Sequence, residues 1–142
     1  MTDMKDAIEQ WCQSYTAAFS NYDAVGIGAH WMFPAVILSG GRSLTFRDAE
    51  HFNKNTANLL SFYKAQDVAA ARRRLIEYLE LDAGAVSIKV ADDMISSNGE
   101  TIVSWTASYV LNKGSEGLRA VMAIADGELK AWAARGTPLG AK

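Results

Sequence analysis

The hydrophobic spacing of this chain changes once, and that change decides its class. Up to about residue 65 the apolar residues recur every three or four positions. From about residue 70 they recur every second position. The first period is that of a helix facing a core, the second that of a strand. Met4, Ile8, Trp11, Tyr15 and Phe19 lay one apolar face along a helix over 3–20, with Asp3 as N-cap and Asp6 in its first turn. Asn21-Tyr22-Asp23 breaks that helix. Asp23 opens a second, short one running to about Trp31, poor in propensity because it contains Gly26 and Gly28, and Pro34 stops it. Residues 35–39 and 43–46 read as short strands around the turn Gly40-Gly41. Arg47-Asp48-Ala49-Glu50 opens a third helix, buried through Phe52, Thr56, Leu59, Leu60 and Tyr63.

The second half reads as an antiparallel meander. Residues 67–80 admit two readings, because Ala69-Ala70-Ala71-Arg72 has high helix propensity. The strand is preferred, with Leu75, Leu79 and Leu81 on one face and Ile76 and Tyr78 on the other. After the turn Asp82-Ala83-Gly84, Val86, Ile88 and Val90 alternate. Asn98-Gly99 is a hairpin signal. Val103, Trp105, Ala107, Tyr109 and Leu111 share one face of a long strand, and Ser104, Thr106 and Ser108 share the other. Which face turns inward depends on the register. Leu118, Ala120, Met122 and Ile124 form the next strand. Asp126-Gly127 reads as a tight turn into Leu129-Lys130-Ala131-Trp132, and the tail from Gly136 as irregular. Helices first and strands after them give an α+β fold: three N-terminal helical segments packed in a strongly curved, mostly antiparallel sheet, a cone with an apolar pocket.

The 142 residues fit one domain, 1–142, and 49% of them are hydrophobic against 21% charged, enough for a real core. The net charge of −2 and the isolated run Arg72-Arg73-Arg74 do not suit nucleic acid, and the run reads as a solvated strand start or an interface rim. Cys12 is the one cysteine, so no intramolecular disulfide or cysteine metal cluster can form, and neither metal nor cofactor is expected. No long apolar run follows Met1–Asp6 and no stretch reaches membrane-spanning length, so a cytoplasmic protein without a membrane partner is expected.

Tyr15-Thr-Ala-Ala-Phe-Ser-Asn-Tyr-Asp23, followed by Ile27, Trp31 and Pro34-Ala35-Val36, is similar to the first helical hairpin and first strand of the ketosteroid isomerase-like family. Trp105-Thr-Ala-Ser-Tyr-Val-Leu111 with Glu116-Gly-Leu-Arg119 resembles the late hairpin of the same group. That group is the nuclear transport factor 2-like superfamily, which includes the SnoaL-like polyketide cyclases. The resemblance implies a cofactor-independent isomerase, cyclase or dehydratase acting on a hydrophobic carbonyl compound. The alternative is a non-catalytic ligand-binding or dimerisation module of the same fold. It also implies a role for Tyr15 as hydrogen-bond donor to a developing oxyanion. The family's first-strand aspartate falls on Ser39, a poor base unless another group activates it.

The remaining candidates carry two readings each. His30 and His51 titrate near neutral pH and could move a proton, His30 being the preferred catalytic candidate with Tyr15 and Ser39; each also reads as a partly exposed helix residue. Asp92-Asp93 interrupts an apolar strand and reads as a bulge or solvent-facing turn, with a buried pocket carboxylate as the competitor. Trp11, Tyr15, Phe19, Trp31, Phe33, Phe62, Tyr63, Trp105 and Tyr109 are the expected lining for a small hydrophobic ligand. The half-polar face of Ser104, Thr106 and Ser108 is the expected seat of a homodimer formed through the sheet.

Overall fold

The computed structural model describes residues 3–139. It is α+β, with helices packed on one side of a six-stranded open sheet. Helix α1 runs Met4–Ser20 and α2 Ala24–Gly28; strands β1 and β2 are Trp31–Ser39 and Arg42–Phe46; α3 is Ala49–Ala65. Strands β3 (Val68–Glu80), β4 (Ala85–Ser96), β5 (Thr101–Gly114) and β6 (Gly117–Ile124) follow, and α4 is Asp126–Arg135. The sheet order is β2-β1-β6-β5-β4-β3. Every pair is antiparallel except β1 with β6.

Local chemistry sets the three early helix starts. Asp3, Asp23 and Asp48 each accept a hydrogen bond from the backbone N–H three residues on, at 2.8, 3.0 and 2.9 Å. The segment 67–80 is strand. Its inward face carries Val68, Ala71, Arg73 and Leu75, and the helical propensity of its alanines yields to pairing with β4. Register shifts interrupt the β3–β4, β4–β5 and β5–β6 ladders, and such irregularities bend a strand and increase its twist. Trp105 is buried and Ser104 exposed, which settles the register of β5. No helix among the described residues is long and apolar enough to cross a membrane.

Several expectations are corrected. The second helix ends at Gly28, not near Trp31, and Pro34 lies inside β1 instead of stopping a helix. The β1–β6 pairing jumps from Trp31 to Val36, so the N–H that Pro34 lacks is not needed in that ladder. In β3 a bulge at Ile76 breaks the alternation, and Ile76, Tyr78, Leu79 and Leu81 all remain exposed. Arg72-Arg73-Arg74 is not wholly solvated: Arg72 and Arg74 point out, while the Arg73 side chain is 5% exposed. The segment after Asp126-Gly127 is helix α4, lying against β5 and ending at Gly136 in a left-handed C-cap with φ 90°. The tail at 137–139 is irregular, and 140–142 lie outside the described residues.

Helix α4 approaches the sheet closely because its second residue has no side chain. A Cβ at Gly127 would stand 2.3 Å from the carbonyl oxygen of Thr106. Trp132, fully buried, and its edge-on contact with Phe62 at 5.0 Å then fix the helix between β5 and α3. Gly127→Ala should therefore push α4 off the sheet and cost about 1–3 kcal/mol, read as a lower urea midpoint. An unchanged midpoint would show that α4 is not seated by this contact.

Candidate functional site

Inside the curve of the sheet, the strands place small residues at inward positions: Ala71 on β3, Ala107 on β5 and Ala123 on β6. The space they leave is a small cavity, with about 40 Å³ open to the centre of a water-sized sphere, and it is partly open to solvent. Phe19, Tyr63, Trp105 and Tyr109 supply its aromatic walls, and Arg73, Asp92 and Glu128 its charged groups.

Arg73 and Asp92 form one unit. They face each other across neighbouring strands, in register. Nε of Arg73 donates to one carboxylate oxygen at 2.6 Å and Nη2 to the other at 2.8 Å. Nη2 also donates to the Tyr109 hydroxyl at 2.8 Å. The guanidinium lies over the rings of Tyr109, Tyr15 and Trp11, 4.6, 5.1 and 5.8 Å from their centroids. Burial works against its charge, but Tyr109 and Asp92 outweigh that and hold Arg73 above its ordinary pKa. Asp92 is thus a buried, paired carboxylate, 3% exposed, which corrects the expectation of a bulge or solvent-facing turn.

Glu128 sits in the first turn of α4 and lines the cavity. Its Oε2 accepts hydrogen bonds from the Tyr63 hydroxyl and, at 3.2 Å, from Trp132 Nε1. Its Oε1 takes no hydrogen bond from the described residues. Burial lifts the carboxyl from 4.5 to about 7, against the two hydrogen bonds that oppose the rise. With both contacts on Oε2, Oε1 is the oxygen left without a partner among the described residues. Burial likewise pushes the Tyr63 hydroxyl well above its ordinary value, so it stays a donor.

The expected residues are distributed more widely. Phe19, Tyr63, Trp105 and Tyr109 are in the cavity wall; Trp11, Tyr15, Trp31, Phe33 and Phe62 are not. Tyr15 is 4% exposed, stacks on Trp11 at 4.8 Å and accepts a hydrogen bond from Trp31 Nε1 at 2.9 Å. His30 is held by Ser14 Oγ and by the carbonyl oxygen of Gly26, each at 2.7 Å; the carbonyl can only accept, so Nδ1 carries the proton. Ser39 ends β1 opposite Arg42, and His51 packs on Phe46, both away from the cavity wall. Sequence reasoning missed Glu128 and Arg73. The usable signals were the acidic first turn, the Leu129–Trp132 spacing and the Gly136 stop for α4, and the inward parity of Arg73 with Ala71 and Leu75. Among the described residues, no group of three or more His, Cys, Asp or Glu is placed to hold a metal ion.

The family described as NTF2-like protein (DUF6841) matches residues 5–128. No curated protein matches the sequence. The fold is similar to that of an NTF-2 like protein of unknown function from Shewanella oneidensis, at 13% identity and a TM-score of 0.67, covering 84% of this chain and 96% of that one. It is similar to Aln2 from a Streptomyces species, at 19% identity and 0.68, covering 87% and 90%. A ketosteroid isomerase-like protein from Erwinia carotovora atroseptica is similar at 15% and 0.64, covering 87% and 95%.

Two outcomes follow from the charged groups. An acid whose folded pKa lies above its ordinary value keeps a proton that the unfolded chain releases. The stability Glu128 contributes is therefore complete below about pH 4.5 and lost as pH climbs through about 7. In Glu128→Gln, thermal melts across that window should lose this part of the pH slope; an unaltered slope would show that Glu128 titrates normally. Asp92→Asn leaves the buried Arg73 charge uncompensated and should cost about 3–5 kcal/mol in chemical denaturation.

Proposed function

Because the chain belongs to the NTF2-like family (DUF6841), whose match spans residues 5–128, we propose that its cavity binds a small hydrophobic carbonyl compound and that Glu128 exchanges a proton with it. The reading is a cofactor-independent isomerase, cyclase or dehydratase. The observation that carries it is the Glu128 carboxyl, which lines the cavity, has Oε1 unpartnered among the described residues and is raised to about 7. A group with that pKa is available both as base and as acid near neutral pH. Tyr63 and Trp132 hold the carboxyl by Oε2 and leave Oε1 to work. The proton-moving role then falls to α4, not to Ser39 or His30, which are not in the cavity wall.

In the forward step, ionised Oε1 takes a proton from the carbon next to the carbonyl. The electron pair of that C–H bond passes to the carbonyl oxygen as an enolate. Returning the proton to the same or another carbon completes an exchange or an isomerisation. The protein needs no oxidant or reductant for this.

The test is exchange of the methyl protons of acetophenone in deuterium oxide, followed by NMR. The protein should accelerate exchange, and Glu128→Gln should slow it by about 10²-fold or more. Equal rates for the two proteins would overturn the role of Glu128. No acceleration by either would favour a non-catalytic ligand-binding module of the same fold.

A further inference from the structure

We propose that Tyr109 is the hydrogen-bond donor to the ligand's carbonyl oxygen, and that Asp92 and Arg73 are positioning residues that aim it. The inference rests on the cavity being the ligand site, as above, but not on proton transfer taking place there.

A phenol hydroxyl has one proton to give and lone pairs to accept with. The Tyr109 hydroxyl accepts from Arg73 Nη2 at 2.8 Å, so its own proton lies on a side away from Arg73. That proton has no acceptor among the described residues, although Tyr109 lines the cavity. The guanidinium cannot rotate to release the hydroxyl, because Asp92 grips it at Nε and Nη2. The phenol ring cannot swing either. It packs edge-on against Trp11, Tyr15 and Trp31, at centroid distances of 5.5, 6.1 and 6.2 Å. A donor fixed in this way meets an oxygen without the cost of reorganising at the moment charge develops on it. Accepting a hydrogen bond from a cation also makes the hydroxyl a stronger donor. Burial holds the group at about 12, against the pull of Arg73, so the proton is present at any working pH.

The chemistry of the wall names the ligand group. The net charges of Arg73 and Asp92 cancel within their pair, although Arg73 Nη1 is buried without a hydrogen-bond partner among the described residues, and Glu128 is either neutral or negative. The cavity lining therefore carries no net positive charge to offset a carboxylate or phosphate ligand. A neutral oxygen acceptor fits: the carbonyl of a ketone, aldehyde or amide. Phe19 and Trp105 offer flat apolar surface to the rest of the molecule.

The experiment is the infrared carbonyl stretch of ¹³C=O-labelled acetophenone bound to the protein. This readout needs no turnover. In the wild type the stretch should move to lower frequency than in an apolar solvent. Tyr109→Phe should remove most of that shift while the probe still binds, and should slow any Glu128-dependent exchange by about 10²-fold. Glu128→Gln should keep the shift, which separates this inference from the proton-transfer reading. Arg73→Lys, which retains the charge but not the fork, should weaken the shift without abolishing it. An identical stretch in wild type and Tyr109→Phe would overturn the proposal. So would failure of acetophenone to bind, or tighter binding of benzoate than of acetophenone.

Discussion

A full positive charge beneath the first helix is the constraint around which the interior is organised. Taking the Arg73 guanidinium out of water is tolerable only because partners surround it. Asp92 stands directly across the β3–β4 ladder, Tyr109 one strand further, and Trp11 and Tyr15 cover it from α1. Breaking such a pair costs far more than the pair contributes, so its presence makes a register slip in β3 or β4 strongly unfavourable. The same unit ties α1 to the middle of the sheet and orders one wall of the cavity.

A second constraint acts from the other side. Helix α4 has no side-chain N-cap, and its first turn is held instead by the sheet and the β1–β2 turn. The Asp126 carboxylate accepts the Gly40 N–H at 2.8 Å, and the missing side chain at Gly127 lets the turn settle on β5. Trp132 then fills the space behind Glu128. The carboxyl is thus delivered to the cavity by the packing of α4 on the sheet. Its neighbours Tyr63 and Trp132 donate to it, yet burial prevails and keeps it far more basic than a surface glutamate.

Family membership and the likeness to NTF2-like, Aln2 and ketosteroid isomerase-like structures agree on the fold, and the identities of 13 to 19% carry no further. A curved sheet around a helix is a container, and what it does depends on the few polar groups facing inward. Here those groups differ from the ones the family resemblance suggested. Tyr15 lies behind the wall, beneath Arg73, and its hydroxyl is engaged by Trp31; Ser39 and His30 are elsewhere. The groups that do meet in the cavity are Tyr109 on β5, the Arg73–Asp92 pair and Glu128.

Local chemistry was enough to mark the helix starts at Asp3, Asp23 and Asp48, the Asn98-Gly99 hairpin and the alternation of β4 and β5. Each of these depends on residues within a few positions of one another, so the chain by itself determined them, and with them the α+β order. Phe19, Tyr63, Trp105 and Tyr109 could be named from their period. Tertiary structure alone decided which charges are buried. An arginine in a basic triplet and an aspartate in an acidic pair look solvated until a strand register sets them face to face, 19 residues apart in sequence. It alone also seated the helix Asp126–Arg135 against the sheet. The segment carries helix signals of its own, an acidic first turn and the Gly136 stop, but where it sits depends on the close approach of Gly127 to Thr106 on a neighbouring strand. Coulomb attraction, burial and close approach depend on distances in space, and a sequence records only distances along the chain.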